Sequence, residues 1–121
     1  MGLQFENLVV NHFQELLPLL HLDNSLVYTA APYRNGGKKG QGVQIDLLIQ
    51  TKRSAYVVEV KRRAEIGQEV VDDVAEKVRR LKVAPGNSIR TALVYDGHLS
   101  RTVEADGYFD AIIPFSRIMG I

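Results

Sequence analysis

Val43-Gln-Ile-Asp-Leu-Leu-Ile49, the turn Thr51-Lys-Arg-Ser54 and Ala55-Tyr-Val-Val-Glu-Val-Lys61 decide the fold. The first stretch alternates, with Val43, Ile45, Leu47 and Ile49 on one face and Gln44, Asp46 and Leu48 on the other, the period of a β-strand. The second is rich in β-branched residues, and a four-residue connection predicts a hairpin. Each strand carries a carboxylate where a sheet favours apolar residues: Asp46 in one, Glu59 in the other. An unpaired carboxylate in a sheet core costs several kcal/mol, so such groups are paired, protonated or bound to metal. Glu59 and Lys61 leave their strand on the same face, roughly 7 Å apart. The hairpin brings Asp46 across from them.

Upstream, Phe5, Leu8, Val9, His12, Phe13, Leu16, Leu17 and Leu20 recur at helical spacing, and Pro18 closes that amphipathic run. Residues 26–33 are β-prone and end near Pro32, which predicts an edge strand. Arg34-Asn-Gly-Gly-Lys-Lys-Gly-Gln-Gly42 is a glycine-rich cationic loop without phosphate-loop spacing. Downstream, Ile66, Val70, Val71, Val74, Val78 and Leu81 stripe a helix over 66–83. Its acidic start and basic end (Lys77, Arg79, Arg80, Lys82) complement the helix dipole. Arg90 to Tyr95 is a strand entered from a helix, hence parallel to the one before it. Ser100 caps a short helix through Ala105, Phe109 to Phe115 is a last strand, and Ser116 to Met119 a terminal turn. The order α-β-β-β-α-β-α-β predicts one α/β domain over 1–121, a mixed central sheet flanked by helices.

Composition bounds the function classes. The 121 residues are 45% hydrophobic and 24% charged, which excludes disorder and fibrous repeats. With no cysteine, disulfides, thiol catalysis and Cys-ligated metal are excluded, and a reducing, cytoplasmic setting is favoured. No apolar run nears the ~20 residues that span a bilayer, so no membrane partner is expected. The net charge of +1 does not announce a nucleic-acid binder, but the cations are clustered. The histidines have no metal-ligand spacing, and His12 reads as a packed core residue.

Oxygen ligands from Asp46 and Glu59, with a backbone carbonyl such as that of Val60, suit Mg²⁺ (or Mn²⁺), and Lys61 suits a developing anion. The competing reading is a Glu59–Lys61 structural ion pair, with Asp46 held by a turn cation. Asp46, then Glu59-Val-Lys61 thirteen residues on, across a hairpin and followed by a helix, resembles the PD-(D/E)xK nuclease superfamily. That resemblance implies a restriction endonuclease-like αβββαβ core over residues 1–95, plus a C-terminal αβ extension. Gln41-Gly-Val-Gln-Ile-Asp-Leu-Leu-Ile49 is similar to the metal-binding segment of archaeal Holliday junction resolvase-like nucleases. It is also similar to the nuclease-like domain C-terminal to certain archaeal ATPases.

By the resemblance, Asp46 and Glu59 are metal-binding carboxylates and Lys61 the catalytic lysine. Glu6, in Gly2-Leu-Gln-Phe-Glu-Asn-Leu8, is the first-helix acid, the alternative being a snorkelling or first-turn dipole role. Ile45 stands where the motif has Pro. Gln68 falls where some exonuclease members carry a helix Gln, but Asp72 replaces the Tyr expected four residues later. The implied activity is Mg²⁺-dependent hydrolysis of DNA phosphodiesters, on branched DNA in the resolvase-like case. Arg34, Lys38, Lys39, Lys52, Arg53 and Arg62 would contact the DNA backbone. A twofold homodimer is implied as well, through the apolar 109–115 strand and the 118–121 tail, the alternative being that this tail closes the sheet edge and packs on the chain's own core. The alternative is a catalytically weak nuclease-fold module that binds or regulates, attached to an ATPase domain in a longer chain. The near-neutral charge and a helix starting almost at Met1 favour that alternative.

Overall fold

The computed structural model describes residues 2–37 and 42–120. In chain order the elements are α1 (Gly2–Asn11), α2 (Phe13–Leu16), β1 (Val27–Asn35), β2 (Val43–Thr51), β3 (Ser54–Ile66) and α3 (Glu69–Arg80). β4 (Ser88–Leu99), α4 (Arg101–Asp106), β5 (Ala111–Pro114) and α5 (Phe115–Met119) follow. Among the described residues the strands form one five-stranded sheet in the order β1-β2-β3-β4-β5. The β1–β2–β3 half is antiparallel, and β3–β4–β5 is parallel because helical crossovers connect those strands. The result is an α/β fold with a mixed sheet flanked by helices.

Each face of the sheet has its own core. On one, Val70, Val71 and Val74 of α3 pack on Ile45, Val57 and Leu93. On the other, Phe5 and Val9 of α1, Leu16 of α2 and Ile118 of α5 pack on Leu47, Val58, Val60 and Val94. Val9, Val74 and Val94 are fully buried, each contributing on the order of 1.5–3 kcal/mol. The first helix is not continuous. It breaks at His12, whose ring Nδ1 donates to the Leu8 carbonyl at 2.8 Å. The bend delivers Leu16, Leu17 and Leu20 to the sheet and leaves Leu8 exposed, outside the expected stripe.

Three expectations are corrected. Strict alternation along β2 fails, because Leu48 shares a face with Ile45 while Leu47 and Ile49 occupy the other. The β1 register steps from Ala31↔Leu48 to Tyr33↔Ile45, three residues of β2 against two of β1, so a bulge lies at Asp46 and Leu47. Second, β3 and β4 run past the predicted ends: Arg62 pairs with Asp96 and Ile66 with Leu99. Ile66 is therefore a strand residue, and the helix starts three residues later. Gly97 makes the ribbon possible: at φ +137° any Cβ would collide with the Arg63 carbonyl oxygen. Third, the predicted terminal turn over 116–119 is the short helix α5, and Phe109, Ile113 and Ile118 are buried. No described helix is long and apolar enough to cross a membrane.

Candidate active site

β2 and β3 pair only from Leu47↔Val58 to Gln50↔Ala55 and then part. The bulge re-aims Asp46 into that parting, where its Oδ2 accepts the Val60 backbone N–H at 2.8 Å. A side chain thus takes the place of the missing strand partner, satisfying a donor that would otherwise be orphaned. Glu59, on the α3 side of β3, is 2% exposed. Its Oε2 lies 3.3 Å from Lys61 Nζ, and its Oε1 accepts from Lys77 Nζ at 2.9 Å. A buried carboxylate gripped by two ammonium groups answers the desolvation problem that its position poses.

These groups line one open cleft of about 490 Å³, with Glu6 entering from α1 and Asp73 and Arg80 from α3. Burial first, and then the nearby Glu59 carboxylate, push the Asp46 carboxyl up to about 6, against the Val60 N–H that favours its charged form. Desolvation pulls the Lys77 ammonium down. The Glu59 charge and hydrogen bond, together with Asp46 and Asp73, outweigh it and hold Lys77 above its ordinary value.

Of the residues expected from sequence, Glu6, Asp46, Glu59 and Lys61 come together, and the Val60 backbone joins them through its N–H. Asp46 is held by that N–H rather than by a turn cation. Among the described residues no trio of His, Asp or Glu is close enough to hold a metal. Two carboxylates, a backbone carbonyl and waters remain a donor set suited to Mg²⁺, which keeps much of its water shell. The expected DNA contacts divide. Arg34 stands on the edge strand, lining a groove with Glu6 and Asp46. Lys38 and Lys39 lie outside the described residues. Arg62 is committed elsewhere, 3.3 Å from Asp96 and stacked over the Phe5 ring. Lys52 and Arg53 sit at the hairpin turn, roughly 20 Å along the strand from Asp46 at about 3.3 Å per residue. The turn and the cleft are at opposite ends of β2 because the hairpin is extended. Gln68 donates to Asp106 at 2.8 Å and does not line the cleft.

Lys77 is a cleft residue whose place in the sequence suggested only a basic cluster and the basic end of a helix. Its signal was the stripe itself, since Lys77 follows Val70 and Val74 by seven and three residues, on the face α3 turns to the sheet. No family model, curated protein or solved structure matches the chain.

Proposed function

We propose that this chain is a metal-dependent nuclease domain, with a restriction endonuclease-like core, that hydrolyses DNA phosphodiesters. The observation that carries the reading is Asp46 bonded to the Val60 N–H where β2 leaves β3. That bond holds the Asp46 carboxylate in one cleft with Glu59, Lys61 and Glu6. Asp46, Glu59 and the Val60 carbonyl would hold Mg²⁺ or Mn²⁺, which supplies an activated water and charge stabilisation at the phosphoryl group. Lys61 positions that water or neutralises the developing anion, and Arg34 meets the DNA backbone beside the cleft. Glu6 adds negative charge from α1.

A second reading has its own support: both Glu59 oxygens are taken by ammonium groups, as in a structural ion-pair network. On that reading the chain is a binding or regulatory module, the partner being an ATPase domain in a longer chain. The two diverge on cleavage. Plasmid and four-way-junction DNA incubated with Mg²⁺ or Mn²⁺ should be nicked by the wild type and not by Glu59→Ala. Equal nicking by both assigns the activity to a contaminant. A metal at 100 times its dissociation constant should also stabilise the fold by about 2.7 kcal/mol, read as a rise in Tm. Light scattering that shows a 13.5 kDa species alone would remove the homodimer.

A further inference from the structure

Lys77 reaches the site from a different element than the four motif residues, and it takes the Glu59 oxygen that Lys61 leaves free. Its ammonium feels both carboxylates, since Glu59 and Asp46 each stabilise its charge. Mg²⁺ binds carboxylate oxygen at about 2.0–2.1 Å, and a positive charge within roughly 4 Å of it is strongly repelled at protein-like dielectric. An ammonium and a metal on the same Glu59 Oε1 would therefore repel, each weakening the other's hold. The displaced side chain has somewhere to go: Asp73, one turn earlier on α3, lines the same cleft and faces Lys77 at i,i+4 spacing.

From this we infer that Lys77 regulates the site as a built-in competitor of the divalent cation, bound to Glu59 in one state and released toward Asp73 in the other. The inference rests on the metal site proposed above. Competition of this kind is a coupling free energy, so removing the ammonium tightens the metal by the factor that the metal loosens the ammonium. A purely structural lysine predicts the opposite, a site that weakens when Lys77 is lost.

The test is a Mn²⁺ titration of the full chain, with free Mn²⁺ read by electron paramagnetic resonance. Lys77→Gln should bind at least about tenfold tighter than wild type, within the range usual for such couplings, and Asp46→Asn should abolish binding in both backgrounds. Equal affinity in Lys77→Gln and wild type, with binding still lost in Asp46→Asn, overturns the competitor role and leaves the metal site standing. Absence of Mn²⁺ binding in wild type and Lys77→Gln alike overturns both. Should Lys77→Gln not fold, the wild type decides the matter through the acylation rate of the Lys77 amine, followed by mass spectrometry. Mn²⁺ at a concentration that raises Tm should speed labelling several-fold, and an unchanged rate at that concentration overturns the inference.

Discussion

From Ala55 to Val58, β3 is paired with β2 on one side and β4 on the other, and Ala55, Val57 and Val58 are at most 1% exposed. From Glu59 to Ile66 it keeps β4, while β2 has parted from it. The first half is inert core, its backbone donors and acceptors absorbed by two ladders. The second half has backbone groups and side chains to spare, and there Asp46, Glu59, Lys61 and Lys77 collect. Two adjoining stretches of one strand thus differ in chemistry because one neighbour leaves. The cleft exists because the sheet is incomplete there, and polar groups occupy it because buried backbone must be satisfied.

The sharpest way to break this contrast is to move the carboxylate. Val57→Asp places an acid on the same face two residues upstream, between two complete ladders. An unpaired buried carboxylate costs at least several kcal/mol against a total stability of about 5–15, so the variant should lose its cooperative melt and native circular dichroism. A melt within a few degrees of wild type would erase the distinction between the two halves.

Glu59→Gln should be milder. It leaves two ammonium groups facing a neutral amide, with a cost of about 2–4 kcal/mol. That is below the usual 3–5 for a fully buried broken pair, because the Lys61 and Lys77 side chains are 23% and 26% exposed. A urea midpoint equal to wild type would show that Glu59 is no more demanding than a surface acid.

Asp46→Asn should go the other way near neutrality. The folded-state pKa of Asp46 is about 6 against an ordinary 3.8, so between these values the native state holds a proton that the unfolded chain has lost. Stability therefore falls as pH rises through that window and stays lowered above it. Asparagine keeps the acceptor for the Val60 N–H and removes the charge. It should stabilise the fold by about 1–3 kcal/mol at pH 7, with the gain vanishing towards pH 4. A gain that persists at pH 4 would mean that shape, not charge, sets the penalty. The smallest effect is expected at the other end of the hairpin. Lys52→Ala with Arg53→Ala should change stability by under about 0.5 kcal/mol and leave the Mn²⁺ affinity untouched.

Much of this was legible in the chain. The hydrophobic periods marked the β2–β3 hairpin, the α3 stripe and the edge position of β1, and helix-to-strand order implied the parallel β3–β4 pair. Ser100 caps α4 through a hydrogen bond to the Thr102 N–H, as its position before the helix suggested. Misplaced acids in apolar strands pointed to Asp46 and Glu59, and the period of two brought Lys61 beside Glu59. Lys77 was harder to see. A cation in the last turn of a helix already has a local explanation in the dipole, and only the position of α3 over the sheet shows that this one is aimed inward.

What the sequence determined by itself is the order of the main elements and the presence of charges that a sheet cannot bury alone. Both follow from local periodicity and from the cost of desolvation, which any window of residues carries. Tertiary structure alone decided where β2 leaves β3, that a bulge at Asp46 turns its carboxylate onto the Val60 N–H, and that Lys77 reaches Glu59 from another element. A bulge depends on register against a neighbouring strand, and an ion pair across eighteen residues depends on how a helix lies on the sheet. Neither quantity is a property of any local stretch of chain.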